Sequence, residues 1–203
     1  MFRTLFCWCM LAIIAMTGLV RSDDLSYASA SVIARNIKIP GTDYVVGTSF
    51  EKLNSTSGQD LIAAIEGWLL NQLSLPPNDH KPNIELVPAQ TIVAMRYPLF
   101  SKQQWSDQSA LSLHDTVAIY DDSTQTIYLA DDWNGSTPAE LSILVHEMVH
   151  HFQNIHGLKY ECAQAREELA YRAQGHWLGL FGHDLASDFD LDPFSLLVKT
   201  RCF

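Results

Sequence analysis

The sequence predicts a single α+β domain, on three observations. Apolar residues recur at helical spacing between Leu61 and Leu73, two β-rich runs at 116–120 and 126–130 flank a polar turn, and a helix-start signal stands at Thr137. The order of elements reads helix, strand, helix, hairpin, helix, helix. With 203 residues, 47% hydrophobic and 18% charged, the composition is that of a globular domain, without internal repeat or long low-complexity stretch. A domain of this size buries well over half of the surface its unfolded chain exposes, so it needs neither a metal nor a disulfide merely to fold. A metal, where the residues imply one, therefore serves chemistry.

Residues 1–22 read as a secretory signal peptide: Arg3, an apolar run from Leu5 to Val20, then an abrupt switch to Arg21, Ser22, Asp23 and Asp24. Cleavage is expected after Val20-Arg21-Ser22, with Ala28-Ser29-Ala30 as the other site. The alternative is a retained membrane anchor, because the run approaches the ~17 residues that cross a bilayer. The remaining domain, residues 23–203, is expected to be secreted or periplasmic. Its first part, to residue 58, is rich in Ser, Thr, Gly and Asp with a short β-type run at Asp43–Val46, and reads as an extended arm.

From Asp60 the stripe Leu61, Ile62, Ile65, Trp68, Leu69 and Leu73 marks a core-facing helix that Pro76 and Pro77 stop. Ile84–Val87 is a short strand, and Pro88 suits the first turn of a helix reaching Ala94 or Met95. Leu99–Ser112 is irregular, a loop or short helix. Residues 116–120 and 126–130, with the polar residues 121–125 between them, form a β-hairpin signal. Thr137, Pro138 and Glu140 supply an N-cap, a proline at the first helical position and the glutamate of a capping box. That helix runs through His146 and His150 to Gly157, which suits the left-handed position beyond a helix end. Another follows from about Cys162 to Phe181 after a short loop, so the two pack as neighbours. Leu141, Val145, Met148 and Phe152 form the apolar stripe of the first.

Loss of the signal takes Arg3 and Arg21 from the 13 basic residues and leaves 11 against 23 acidic ones, a net charge of −12. Such a surface repels phosphate backbones and anionic lipid, which argues against nucleic-acid partners and against stable membrane association after cleavage. Cys7 and Cys9 leave with the signal. Cys162 and Cys202 remain, and in an exported chain they predict one disulfide that ties down the C-terminus, two unrelated buried thiols being the alternative.

The chemistry centres on the H-E-x-x-H pentad His146-Glu147-Met148-Val149-His150. Residues four apart on a helix differ by only about 40° around its axis, so both imidazoles face one ion. Glu147 points about 100° from His146, within reach of the attacking water without ligating the metal. A catalytic zinc takes three protein ligands and keeps one position open, so a third ligand is needed. The following helix carries Glu167 and Glu168. Tyr171 and Gln174 lie at about +40° and −20° from Glu167, on its face, and His176 is on the opposite side. Gln153 lies at about −20° from His146 and can line the same pocket. His151 and His156 point elsewhere and read as surface or hydrogen-bonded core residues.

The pentad followed on the next helix by Glu167-x-x-Ala170 resembles the gluzincin group of zinc metallopeptidases. With Tyr171-x-x-Gln174 included, residues 115–180 look more like small exported bacterial domains that pair the pentad with E-x-x-A-Y-x-x-Q, and Tyr171 stands where many gluzincins carry Asp or Asn. The resemblance implies a small zincin-like domain in which a β-hairpin precedes the H-E-x-x-H helix and offers an edge strand to an extended substrate. It implies zinc as cofactor, held by His146, His150 and Glu167, with Glu168 the alternative third ligand. It implies hydrolysis of peptide or amide bonds in a peptide or protein substrate, with Glu147 as general base. Tyr160, Tyr171 and His183 are the candidates to stabilise the oxyanion. The competing reading from another class is a non-catalytic metal-binding or partner-binding domain that retains the site.

Overall fold

The structure, a computed structural model, describes residues 37–38, 45–46, 56–74, 76–77, 79–98 and 118–203. The expected signal segment 1–22 and the irregular stretch Leu99–Ser112 lie outside the described residues, as does most of the N-terminal arm. The part of the arm that is described is a two-stranded antiparallel pair, β1 (Ile37–Lys38) with β2 (Val45–Val46).

The remaining elements are α1 (Thr56–Leu73), β3 (Asn83–Val87), α2 (Ala89–Arg96), β4 (Ala118–Asp121), β5 (Thr126–Ala130), α3 (Pro138–Ile155), α4 (Ala163–Gly179), α5 (Leu185–Phe189) and α6 (Pro193–Thr200). The fold is α+β. Its sheet has the order β3-β5-β4, with β4 and β5 forming the antiparallel hairpin and β3 running parallel to β5. The hairpin was legible from the sequence. The parallel partner was not, because α2, a long connection and β4 separate β3 from β5 in the chain. β4 alternates buried Ala118 and Tyr120 with half-buried neighbours, as a strand covered on one face must.

Helix α3 is the centre of the molecule. Thr137 Oγ1 accepts from the Glu140 amide at 3.1 Å and the Glu140 carboxylate accepts from the Thr137 amide at 3.2 Å, closing the capping box with Pro138 in the first turn. At the other end Gly157 takes φ +62°, its amide donates to Asn154, and Leu158 donates to Gln153, the two bonds of a Schellman stop. Every residue from Leu141 to Gln153 is buried. The stripe Leu141, Val145, Met148 and Phe152 packs into the core with Ile127 and Leu129 of β5 and with Leu61, Ile65 and Leu69 of α1. A helix buried all round has no solvent for its polar side chains, so each of Ser142, His146, Glu147, His150, His151 and Gln153 raises the question of its partner.

Helices α3 and α4 pack side by side and antiparallel: Gln153 meets Arg166 near one end, and Trp177 Nε1 donates to the Pro138 carbonyl at 3.1 Å near the other. Buried Ala170 and Ala173 let the helices approach closely, and Trp177 meets Trp68 of α1 edge-on at 5.3 Å. The last two helices were not anticipated, although Asp192-Pro193 repeats the cap-then-proline signal of Thr137-Pro138: the Asp192 carboxylate accepts from the amides of Phe194 and Ser195. The amphipathic run that follows is only two turns long, too short for its periodicity to register.

Cys162 and Cys202 are joined in a disulfide with Cα atoms 5.9 Å apart, which fixes the end of the chain beside the start of α4. The bond spans a sequence separation of 40, and loop-closure entropy puts its contribution at ~4 kcal/mol. Cys202→Ala is therefore expected to lower unfolding free energy by about that amount in denaturant titration under oxidising conditions. An unchanged midpoint would show that the tail adds nothing to the cooperative unit. Among the described residues no helix is long and apolar enough to cross a membrane.

Candidate metal centre

Three side chains from two helices converge. His146 Nε2 and His150 Nε2, one turn apart on α3, are 3.2 Å from each other, and Oε2 of Glu167 on α4 lies 3.1 Å from the first and 3.4 Å from the second. All their ligand atoms fall within 4.8 Å of one another, a group that can hold a metal ion. Glu168, one residue on, turns away to Arg201 at 3.5 Å and is half exposed, as the rotation of about 100° per residue requires.

The hydrogen-bond network fixes what each imidazole presents to that point. Nδ1 of His146 is 3.0 Å from Oε1 of Gln174, and Nε2 of Gln174 donates to Ser142 Oγ at 3.2 Å. The Ser142 hydroxyl spends its own hydrogen on the Ala139 carbonyl at 2.7 Å, so it has only a lone pair to offer Gln174. The amide is thereby oriented with its oxygen toward His146, whose Nδ1 must carry the proton. The same logic holds for His150, with Nδ1 2.7 Å from Oε1 of Gln153. Gln153 Nε2 donates to the Arg166 carbonyl at 2.8 Å, and its oxygen also accepts from Arg166 Nε at 3.1 Å. With both Nδ1 atoms protonated, two Nε2 lone pairs and a carboxylate oxygen face one another with no donor among them. Three acceptors in that arrangement, the two imidazoles buried and the Glu167 carboxylate half-buried, call for a cation, either a proton or a metal.

Electrostatics agree. Burial pushes the Glu167 carboxyl up, but where a proton is the shared cation, hydrogen bonds and charge from the His146 and His150 imidazoles more than offset it and hold the carboxyl well below the usual range. Burial likewise pushes His150 down, and the Glu167 hydrogen bond with the charges of Glu147 and Glu167 reverses the direction and raises it. The centre attracts positive charge.

Outside these three, Glu147 is only 7% exposed and lines the cleft over the centre. Among the described residues its carboxylate has no hydrogen-bond partner, which is costly for a buried acid and leaves it available to a molecule in the cleft. Tyr171 of α4 also lines the cleft and packs its ring edge-on against His146 at 4.6 Å. Ala118 places β4, at the edge of the described sheet, on the cleft wall. Of the other oxyanion candidates, Tyr160 lies beside Gln153 and His183 pairs with Asp188 at 3.0 Å, and neither lines the cleft. His151 is wholly buried but serves packing: it bonds the His80 carbonyl through Nε2 at 2.8 Å and accepts from the Tyr120 hydroxyl at Nδ1, 3.1 Å away. Burial holds its pKa down, which keeps it neutral.

Arg166 was not singled out from the sequence, yet it couples several elements. Its guanidinium forms two bonds of 2.6 Å with Asp122 in the hairpin turn and another to the His150 carbonyl, while its Nε positions Gln153. Only a fold that returns the hairpin turn to α4 brings these residues together, so no local pattern announces them. Because the glutamines orient the two imidazoles, Gln153→Leu and Gln174→Leu are each expected to lower the affinity of this candidate centre for a metal about 10–100-fold with stoichiometry unchanged, measured by competition with a chromophoric chelator. Unaltered affinity in both would mean that helix packing alone orients the rings.

No curated protein and no solved structure matches this chain. A family model described as Domain of unknown function (DUF6647) matches residues 54–203, well over half of the sequence, and spans the pentad, Glu167 and both supporting glutamines. The chain belongs to that family, DUF6647.

Proposed function

We propose that this is an exported, zinc-dependent hydrolase of zincin-like, gluzincin type, cleaving peptide or amide bonds with Glu147 as general base. The observation that carries the reading is the convergence of two Nε2 lone pairs and the Glu167 carboxylate beside the buried carboxylate of Glu147, which has no hydrogen-bond partner among the described residues. The donor set fits zinc. Bonds of ~2.0–2.1 Å to a tetrahedral ion separate its ligands by about 3.3 Å, against the observed 3.1, 3.2 and 3.4 Å. Two imidazoles and one carboxylate suit zinc, whereas calcium and magnesium favour all-oxygen sets.

When bound, the ion supplies Lewis acidity, polarising the scissile carbonyl and acidifying the attacking water. Glu147 accepts that water's proton on its carboxylate and passes it to the departing amine. Gln153 and Gln174 hold His150 and His146 in the tautomer that leaves Nε2 free, and do so without adding negative charge to the centre. β4, at the edge of the described sheet, suits an extended substrate that pairs along it.

Three measurements test this. Protein purified with zinc present is expected to hold about one ion per chain, and His146→Ala or His150→Ala to abolish tight binding; stoichiometric zinc in both variants would remove the proposed centre. The zinc-loaded protein is expected to cleave members of a mixed peptide library. Zinc bound without any turnover would favour the metal-retaining binding domain instead. The N-terminal sequence of the mature protein tests export and signal cleavage.

A further inference from the structure

We infer that the cleft selects a substrate carrying a carboxylate, held by Arg96 and Lys199. The inference deepens the hydrolase reading and rests on it for the peptide nature of the ligand. The chain as a whole is acidic, with a net charge of −10, yet the cleft over the His/His/Glu centre is lined by two cations. Arg96 comes from the last turn of α2 and Lys199 from the last turn of α6, elements far apart in sequence.

A helix C-terminus favours a basic residue through its dipole, and that accounts for each cation on its own helix. It does not account for two unrelated helices delivering their terminal cations to one cleft. Neither residue has an ion-pair partner among the described residues, whereas Arg166 is committed to Asp122 at 2.6 Å and Arg201 to Glu168 at 3.5 Å. Among the described residues the acids of the cleft are Glu147 and Glu167, and they belong to the centre, where a bound divalent ion would balance them. Arg96 and Lys199 therefore leave the loaded cleft net positive. The acidic surface beyond is screened over a Debye length of ~8 Å at physiological salt, so an anionic group inside the cleft responds chiefly to these two. The same cleft is also lined by apolar and aromatic side chains, among them Tyr97, Phe189 and Leu191. A peptide with a carboxylate a short distance from its scissile bond matches that layout.

The carboxylate can belong to an acidic side chain or to a peptide C-terminus, and three acetylated peptides of one length separate the sources. The first is neutral, with a central glutamine and an amidated end; the second replaces that glutamine with glutamate; the third is the neutral sequence with a free terminal carboxylate. Calorimetry on zinc-loaded Glu147→Gln protein, which binds without cleaving, is expected to show one charged peptide held about tenfold more tightly than the neutral one at low salt. The combined Arg96→Gln and Lys199→Gln substitutions are expected to erase that preference with zinc content unchanged. Equal binding of all three, no binding of any, or a preference that survives the double substitution overturns the inference. Turnover by the unaltered protein separates it from the reading beneath: equal cleavage of charged and neutral peptides sinks the carboxylate site and leaves the hydrolase, whereas charge-selective binding without cleavage sinks the hydrolase and leaves the site.

Discussion

On the zinc-hydrolase reading proposed above, Glu147→Gln is expected to retain zinc and to lose about 10²–10⁴-fold in turnover, the contribution of a positioned acid-base group. The geometry separates the two quantities. Glu147 is adjacent in sequence to His146, but the helix turns it about 100° away from the ligand direction, into the cleft rather than toward the point where His146, His150 and Glu167 meet. Glutamine preserves its size and its burial at 7% exposure while removing the ability to take a proton. Affinity for zinc, measured by chelator competition, should therefore stay close to that of the unaltered protein, and kcat should carry the loss. Activity that survives the substitution would reassign the base to another group. Loss of zinc along with activity would mean that Glu147 reaches the ion itself.

Much of this centre was legible in the sequence because its parts are local to two helices. The capping box at Thr137 and the glycine at 157 fix where α3 begins and ends, and once the helix is placed, angle alone puts His146 and His150 on one side. The same arithmetic put Gln174 and Tyr171 on the face of Glu167, and the structure finds Gln174 bonded to His146 and Tyr171 packed on its ring. Gln153 was read as a possible lining residue; it instead props His150 from behind, because the Arg166 carbonyl and guanidinium capture its amide. What stayed hidden depends on long-range return of the chain. Arg96 and Lys199 reach the cleft only because α2 packs on the sheet and α6 packs on α4. The parallel pairing of β3 with β5 is hidden for the same reason: nothing in either strand names its partner.

The two neighbouring glutamates of α4 make opposite demands, and they test the register of the whole centre. Glu167→Ala is expected to weaken zinc binding itself, because it removes one of three ligands and leaves two Nε2 lone pairs 3.2 Å apart with no acid to help hold the ion. Turnover then falls as a consequence at zinc concentrations that saturate the unaltered protein, and recovers in part when zinc is raised. Glu168→Ala is expected to change neither quantity appreciably. Its side chain is 46% exposed and pairs with Arg201 at 3.5 Å, a contact of the kind worth ~0–1 kcal/mol in stability. A double dissociation is thus expected, with affinity tracking residue 167 and nothing tracking residue 168. Zinc stripped by Glu168→Ala but not by Glu167→Ala would shift the ligand register by one residue, against the turn of the helix. Zinc retained by both would place the third ligand elsewhere and remove the basis for likening this site to the gluzincins.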